Sequence, residues 1–226
     1  MTEQQAAAEP TGLRERKKQR TRDALLRVAL ELFTTQGYEH TTVDEITEAV
    51  EVSQRTFFRY FATKEDAAFA LQAIVESRYV AELRERPADE GPFEAMRQAV
   101  LTSWDSIGEA IEAVVPVELH MRTYQLIEST PVLLAAHIRR STEIEEEIAR
   151  IIAGREGLDV DADPRPRIAV ATFTGVMRVS GRLWGQGQDM SVQAIRALTE
   201  LYLDQLGPAL ATNWRAPART RGPHTA

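Results

Sequence analysis

The sequence has 226 residues and no cysteine, and this absence removes several kinds of chemistry. Without thiolates the chain has no disulfide, no cysteine nucleophile, no zinc–thiolate site and no iron–sulfur cluster. The four histidines, His40, His120, His137 and His224, share no helical spacing with acidic residues that would suggest metal ligation. We therefore expect no metal ion and no cofactor.

Long apolar runs are missing too. No stretch approaches the roughly 20 apolar residues that span a membrane, and the N-terminus lacks the short apolar segment of a signal peptide. Hydrophobic residues make up 43% of the chain and charged residues 27%, a balance typical of globular proteins and too apolar for disorder. The sequence predicts a soluble protein of the cytoplasm that does not enter a membrane.

The formal net charge of −7 is distributed unevenly along the chain. Residues 13–22 hold six basic residues and one acidic residue, whereas the part after Lys64 holds 17 basic and 24 acidic residues. A basic head on an acidic body concentrates affinity for phosphate at one end of the molecule. The alternative is that the basic run is only the solvated start of a helix, and the run alone does not separate the two interpretations.

The β-branched alternation typical of strands is also absent, and apolar residues recur at helical spacings, which predicts an all-α protein. Thr42, Ser53 and Thr63 stand where helix N-caps are expected, and Glu45 completes a capping box with Thr42. About nine helices are predicted, over residues 13–36, 43–49, 54–60, 64–86, 93–113, 116–128, 131–155, 166–184 and 192–211. Residues 1–12 and 212–226 lack periodicity and are predicted to be a disordered arm and a disordered tail.

Two short helices, 43–49 and 54–60, are joined by a tight turn and follow a long helix, which is the arrangement of a helix-turn-helix. The major groove of DNA is about 12 Å wide and admits one helix, so base-reading residues should lie at the exposed N-terminal end of the second short helix. Phe57 and Phe61 are spaced to face the core. The pattern predicts a DNA-binding domain over residues 13–64 and a second helical domain over residues 65–211.

The stretch from Arg14 to Ala70 resembles the N-terminal domain of the TetR family of regulators, with FTTQGYEHTTVDEI, VSQRTFFRYF and Thr63-Lys64-Glu65-Asp66 in register. The resemblance implies two sets of DNA contacts. The base readers would be Gln54, Arg55 and Thr56, and the residues at the phosphate backbone would be Thr42, Ser53, Phe58, Arg59, Tyr60 and Lys64. The chemistry agrees, since arginine can form a bidentate pair with guanine and glutamine with adenine.

One residue departs from the family pattern. Glu51 occupies the turn position where the family usually carries glycine. A non-glycine residue there is expected to adopt a positive φ, which costs on the order of 1 kcal/mol. We expect a local adjustment and not the loss of the motif.

Residues from about 92 onward resemble the ligand-binding half of the same family, and in particular the branch of the mycofactocin-system regulator, through ELHMRTYQLIESTPVLLAAHIRR and FTGVMRVSGRLWGQG. That resemblance implies a helical domain that dimerises and binds an acyl-CoA-like molecule. Residues predicted to line the ligand site are Met96, Trp104, Leu119, His120, Arg122, Tyr124, Phe173, Met177 and Arg178. The alternative for each apolar member is that it fills the core, because methionine and aromatic side chains at helical spacings do so by default.

The helices predicted over 166–184 and 192–211 are rich in small and apolar residues, and the resemblance implies that they form a four-helix dimer interface. The leading interpretation is a dimeric repressor of a pseudo-palindromic double-stranded DNA operator, released by a small lipophilic or acyl-CoA-like inducer. A second is a DNA-binding regulator or architectural protein controlled by a protein partner, with no inducer. A third, an all-α enzyme with a DNA-binding head, has little support because no catalytic motif is present. A pocket that is large enough for an acyl chain and opens to solvent favours the first interpretation over the second, and a solid core reverses that order.

Overall fold

All regular secondary structure in residues 12–189 and 191–211, which this computed structural model describes, is α-helical. The helices are α1 (Leu13–Gln36), α2 (Val43–Ala49), α3 (Gln54–Tyr60), α4 (Lys64–Ala68), α5 (Ala70–Glu85), α6 (Pro92–Glu112), α7 (Val117–Ser129), α8 (Pro131–Arg155), α9 (Arg165–Gly185), α10 (Val192–Asp204) and α11 (Leu206–Leu210). The all-α prediction is confirmed. The predicted disordered arm and tail lie outside the described residues, except Gly12, which is the N-cap of α1.

The eleven helices occupy the nine predicted segments, two of which are interrupted by one residue. Phe69 separates α4 from α5, and its backbone leaves helical geometry at φ −97° and ψ 3°. Its side chain is 1% exposed and its ring stacks on His137 of α8, so tertiary packing overrides the local helical pattern here. Gln205 separates α10 from α11, three residues before Pro208, whose ring disfavours a continuous helix.

The first four helices pack around one end of the hydrophobic core, which continues into the other helices. Leu26, Leu30 and Phe33 of α1 are fully buried, and Ile46 of α2 and Phe57 of α3 are buried with them. Phe61, at the C-cap of α3, is only 3% exposed. The predicted inward orientation of Phe57 and Phe61 is confirmed, and their packing fixes α3 against α1 with its opposite face exposed.

The remaining helices form the second, larger bundle, in which α5 packs on α6, α8 on α9 and α9 on α10. The two parts are in contact. The Arg27 guanidinium of α1 donates a hydrogen bond of 3.1 Å to the carbonyl of Val114, just before α7. On the other side, Arg139 and Arg140 of α8 form ion pairs with Glu65 and Asp66 of α4 at 3.6 and 3.9 Å.

Candidate nucleic-acid interface and ligand cavity

The start of α2 is held by the predicted capping box. The Thr42 hydroxyl accepts from the Glu45 amide at 3.2 Å, and the Thr42 amide donates to the Glu45 carboxylate at 2.7 Å. The Thr42 hydroxyl also donates to the Glu45 carboxylate, at 2.9 Å, and the two hydrogen bonds that this carboxylate accepts from Thr42 lower the pKa of the Glu45 carboxyl. The cap fixes where α2 begins and leaves the Thr42 side chain exposed beside it.

The turn between α2 and α3 contains the expected strained residue. Glu51 has φ 55°, and it is the one non-glycine residue with positive φ in the described part of the chain. The Val52 amide donates to the Thr47 carbonyl and the Glu51 amide to the Glu48 carbonyl, both at 3.0 Å, which is the Schellman pattern that closes a helix. The turn keeps its geometry, and the prediction of a local adjustment at Glu51 is confirmed.

Ser53 caps α3, and its hydroxyl accepts from the Thr56 amide at 3.2 Å. The Ser53 and Thr56 hydroxyls are also hydrogen-bonded to each other at 3.0 Å, so these two predicted DNA contacts form one local unit. The Gln54 side-chain amide donates to the Asp44 carboxylate of α2. This bond orients Gln54 across the two helices of the motif.

Arg55 is exposed and makes no hydrogen bond or ion pair within the described residues. Phe58 is 49% exposed although it is aromatic. Farther along α3, the Arg59 guanidinium lies 5.0 Å from the centre of the Tyr60 ring. A free guanidinium and an exposed ring at the front of a well-anchored short helix are the groups that a major groove and its phosphates would meet.

The structure also brings the basic run to the same surface. Arg14, Lys17 and Lys18 of α1 line a groove with Arg59 and Tyr60 of α3. The sequence identified the charge excess at residues 13–22 but did not show that it would lie beside the end of α3. The helical spacing of Arg14, Lys17 and Lys18, at i, i+3 and i+4, was the available signal for a single basic face.

Lys64, a predicted phosphate contact, is partly engaged within the protein. Its ammonium donates to the Tyr38 carbonyl at 2.7 Å and to the Thr41 carbonyl at 2.8 Å, and it lies 4.2 Å from the centre of the Tyr38 ring. Partial burial lowers the pKa of the Lys64 ammonium. Burial, with Glu65 and Asp66 nearby, raises the pKa of Tyr38 to about 12. A lysine ammonium has three donors, so one remains for a phosphate.

Two cavities and a cleft lie around Trp104 in the described part of the second bundle. The first cavity, which we call the His120 cavity, has a volume of about 210 Å³ and lies between α5, α6, α7, α9 and α10. The second, the His137 cavity, has about 230 Å³ and lies between α5, α6, α8 and α9, with Tyr124 of α7 on its wall. The outer cleft, about 870 Å³, opens between α6, α7 and the start of α10. Trp104 borders all three spaces, which are therefore neighbours.

The predicted ligand residues divide into two groups. Seven line these spaces: Trp104, His120, Arg122, Tyr124, Phe173, Met177 and Arg178. Met96 and Leu119 are 0% and 2% exposed and line none of the cavities described. Their positions agree with the alternative interpretation, in which they fill the core. Tyr124 reaches its place because α9 has glycines where it passes. A Cβ at Gly181 would lie only 2.5 Å from the Tyr124 hydroxyl.

Polar atoms without partners face the two cavities. Four buried atoms form no hydrogen bond with any residue that the structure describes. They are Gln72 Oε1 and His120 Nδ1 at the His120 cavity, and the Tyr79 hydroxyl and His137 Nδ1 at the His137 cavity. Burial lowers the pKa of His120 to about 4 and raises that of Tyr79 above its usual range. Buried polar groups are normally paired, so these atoms mark where a polar ligand or water would bind.

Sequence reasoning missed the contribution of α5 to the cavity walls. Gln72, Glu76 and Tyr79 lie at i, i+4 and i+7 and therefore share one face of that helix. Glu76 borders both cavities, and burial raises the pKa of its carboxyl, an effect that Arg140 opposes. Three polar residues on one face of a helix in an apolar bundle were the signal that could have found them.

A stripe of apolar side chains on α9 remains exposed. Ile168, Val179 and Leu183 are 61%, 43% and 40% exposed, and they share one helical face with Gly175. Leu201 of α10 is 56% exposed. The outward face of these two helices is more apolar than a solvated surface requires.

Other kinds of site are not found in the part of the chain that the structure describes. Residues 12–189 and 191–211 contain no group of three or more side chains that could hold a metal ion. In those same ranges, no helix is both long and apolar enough to span a bilayer.

A capped short helix exposed on a three-helix unit, next to a basic groove, defines a helix-turn-helix DNA-binding protein. Comparison with models of protein families identifies the family of this DNA-binding protein. The model of bacterial regulatory proteins of the tetR family matches residues 25–71, and that of the MftR C-terminal domain matches residues 90–211. The chain belongs to the TetR family of DNA-binding transcriptional regulators. Because the family consists of regulators, the prediction that the chain is not an enzyme is confirmed.

Individual relatives agree with this assignment. The chain is 48% identical over 206 residues to the HTH-type transcriptional regulator TcmR of Streptomyces glaucescens, with 91% of each chain covered. It is 30% identical over 96 residues to the HTH-type transcriptional repressor NicS of Pseudomonas putida, covering 42% of this chain and 45% of that one. Among solved structures, NalD, the secondary repressor of the MexAB-OprM multidrug efflux pump in Pseudomonas aeruginosa, has the same fold. Its TM-score is 0.51 at 18% identity, and the match covers 88% of this chain and all of NalD.

Proposed function

We propose that this regulator is a dimeric repressor that binds a pseudo-palindromic operator in the cytoplasm and leaves it when a small molecule enters the second bundle. Residues 13–64 act as the DNA-binding domain and residues 65–211 as the domain for ligand binding and dimerisation. In this proposal Gln54, Arg55 and Thr56 read bases. The phosphate backbone is contacted by Thr42, Ser53, Phe58, Arg59, Tyr60 and Lys64.

Dimerisation is supported by the exposed apolar stripe on α9 and by Leu201 of α10. Two copies that bury these helices against each other, over about 166–184 and 192–211, would form a four-helix interface related by a twofold axis. One short recognition helix reads only a few base pairs, so a twofold dimer on two half-sites supplies the specificity that one copy lacks.

The cavities carry the proposal of a small-molecule inducer. A solid core would have favoured control by a protein partner, but the second bundle contains two cavities next to an open cleft and four unpaired polar atoms on their walls. Seven of the nine residues predicted to bind a ligand line these spaces.

A physical connection runs from the cavities to the DNA-binding domain. His137, on the wall of its cavity, stacks on Phe69 at 6.2 Å between ring centres, and Phe69 separates α4 from α5. One turn further along α8, Arg140 pairs with Asp66 of α4 and lies 5.2 Å from the Phe69 ring. A ligand that displaces α8 therefore changes the contacts of α4, and binding that favours one of two such arrangements changes operator affinity.

The DNA-binding half is tested by footprinting the purified chain on genomic DNA and repeating the experiment with Arg55→Ala. Loss of a bidentate contact is expected to cost about 1–3 kcal/mol for each half-site and to relax the preference at one base pair. Arg150→Ala is the matched control, because Arg150 is an exposed arginine of α8 in a surface ion pair with Glu146 at 3.8 Å. An Arg55→Ala footprint with unchanged sequence preference would show that Arg55 does not read bases.

The inducer half is tested on the operator found by footprinting. Release of the labelled operator is followed by fluorescence anisotropy as acyl-CoA thioesters and free lipophilic compounds are added. If the protein responds to a ligand, one of these two classes of compound should lower the anisotropy of the labelled operator in proportion to the fraction of protein that has bound the compound. If no compound releases the DNA while a protein from the same cells does, the partner interpretation replaces this one.

A further inference from the structure

The resemblance to the mycofactocin-regulator branch leaves two ligand classes open, acyl-CoA thioesters and lipophilic compounds. The cavity walls distinguish between them by charge. From their lining we infer that the cavities take an uncharged ligand with an apolar body and hydrogen-bonding groups, and that they exclude anionic acyl-CoA thioesters. This inference rests on the proposed function, because it concerns the ligand of the same site.

The unpaired atoms define what the ligand must offer. Gln72 Oε1 is an acceptor at the His120 cavity and needs a donor, while the Tyr79 hydroxyl at the His137 cavity can donate to a carbonyl or hydroxyl. Apolar and aromatic side chains line much of both cavities, with Trp104 and Met177 common to the two, and the His137 cavity also has the hydroxyls of Ser103, Ser141 and Thr174 on its wall. Such a lining matches a ligand that is mostly apolar and carries a few neutral polar groups.

The titratable groups that face the cavities do not offer a buried cation. Burial keeps the pKa values of His120 and His137 below their ordinary value, so both imidazoles are neutral at pH 7. Glu76 and Glu145 face the same space with carboxyl groups. Arg178 lines the His137 cavity but is exposed to solvent. Arg140, which lowers the pKa values of Glu76 and His137 from outside the lining, is engaged with Asp66 and with the Phe69 ring. A buried anion would therefore lose its hydration next to acidic side chains and gain no buried cation on the cavity walls.

The outer cleft, through which a long ligand would extend, is also unfavourable for phosphates. Asp105, Glu112 and Glu118 line it. Of its two arginines, Arg196 is already bound to Asp105 and to Glu200, which leaves Arg122. The nucleotide of coenzyme A carries several phosphate charges, so a thioester with its acyl chain inside would place those charges on an acidic rim.

The test uses two dyes with the same aromatic body. N-phenyl-1-naphthylamine is uncharged, and 1-anilinonaphthalene-8-sulfonate adds one sulfonate; both brighten when they leave water. Each is titrated into the full-length protein at neutral pH and followed by fluorescence. We expect the uncharged dye to bind at least about tenfold more tightly than the sulfonate, because the sulfonate must be desolvated without a buried cation. Equal or tighter binding of the sulfonate, or no binding of the uncharged dye, would overturn the inference.

A pair of glycine variants shows whether the dye is in the cavity. Gly108 of α6 lines both the His120 cavity and the outer cleft, and a Cβ there meets no atom within 4 Å, so Gly108→Leu adds a side chain at their junction. Gly154 of α8 has equally free space but lines none of these spaces, which makes Gly154→Leu the matched control. Gly108→Leu should weaken the uncharged dye about tenfold or more, and Gly154→Leu should not. The inference fails if the two variants behave alike while circular dichroism shows both to be folded.

Hexanoyl-CoA separates failure of this inference from failure of the proposed function. It should neither displace the uncharged dye nor release the operator. If it does both, the ligand-responsive repressor stands and the uncharged ligand class is wrong. If the uncharged dye binds as expected but neither lipophilic compounds nor thioesters release the operator, the cavity chemistry stands and the proposed inducer response is wrong.

Discussion

The two parts of the molecule satisfy their polar atoms in different ways. In the DNA-binding part, α1 begins at Gly12 without a side-chain cap, but Thr42, Ser53 and Thr63 each close the start of a later helix with a side-chain hydrogen bond. In the second bundle, α5, α7, α8 and α9 begin without such a bond, and only α10 is capped in this way, by Ser191, among the helices whose caps the structure describes. Within residues 12–189 and 191–211, the eight buried side-chain atoms found without a partner all lie in the second bundle, from Gln72 to Thr199.

This difference agrees with the tasks that we propose for the two parts. A recognition helix must present its side chains at fixed positions before DNA arrives, and capped helices around a full core hold it there. A ligand site needs empty space and polar atoms that wait for a partner, both of which lower the stability of the free protein. Under the proposed function, the polar atoms of the first part are paired in the free protein, and those of the second are paired when a ligand binds.

The largest expected change in the free energy of unfolding comes from truncating a buried phenylalanine, and one such residue in each part can be compared. Phe57→Ala, in the filled core of the first part, should lower the free energy of unfolding by about 3–5 kcal/mol. Phe173→Ala, on the wall of the His137 cavity, should cost about 1 kcal/mol less, because Phe173 already has empty space on one side. Urea unfolding at equal protein concentration measures both. Equal costs would mean that the cavity wall packs as tightly as the core.

Acid should destabilise the second bundle through His120. Its pKa is near 6.5 when unfolded and about 4 when folded, so the unfolded chain binds the proton first. The free energy of unfolding should fall as the pH drops from about 6.5 to about 4, by up to about 3 kcal/mol. His120→Gln should flatten that part of the profile, measured by thermal unfolding at several pH values. His40→Gln, at an exposed position of the first part, is the control, and an equal flattening there would contradict the assignment.

Removing a single hydroxyl should have opposite signs in the two parts. Tyr79→Phe removes an unpaired buried hydroxyl and should raise the free energy of unfolding by about 1 kcal/mol. Thr47→Val removes a hydroxyl that donates to the Asp44 carbonyl at 3.0 Å and should lower it by about 1 kcal/mol. Thermal unfolding of both variants is sufficient. A loss of stability in Tyr79→Phe would show that an ordered water already pairs with that hydroxyl.

The smallest expected effect concerns the turn, which is the strained point of the otherwise well-satisfied first part. Glu51→Gly relieves the positive φ of 55° and should stabilise the protein by about 1 kcal/mol or less. Asparagine tolerates positive φ better than most residues, so the free energy of unfolding of Glu51→Asn should lie between those of the unsubstituted protein and Glu51→Gly. If Glu51→Gly destabilises the protein instead, the Glu51 side chain makes a contribution that its backbone geometry does not reveal.

Sequence alone predicted most of the first part because its signals are local. Capping residues, the spacing of Phe57 and Phe61 and the turn at Glu51 act over a few residues, and each has the predicted geometry. Lys64 is the exception, since its partners Tyr38 and Thr41 lie more than twenty residues away. The DNA contacts themselves stay predictions, because an exposed Arg55 shows availability and not binding.

The second bundle was harder to predict because cavities arise between distant helices. Periodicity identified Trp104 and Phe173 as inward-facing, but it could not distinguish a cavity wall from the solid core that holds Met96. The break at Phe69 has the same origin, since α8 packs on that residue from far along the chain. Helical pattern fixes which face turns inward, and only tertiary packing decides whether that face meets another side chain or open space.

The Lys64 ammonium ties the first residue of α4 to the loop before α2. A tie of this kind makes the helix-turn-helix move as a solid block whenever α4 is displaced. In a dimer, two such blocks face grooves about 34 Å apart on one side of the duplex. The spacing of the two half-sites would then select the dimer in which the two helix-turn-helix units are the same distance apart. A ligand could lower operator affinity by changing this distance, without altering either unit.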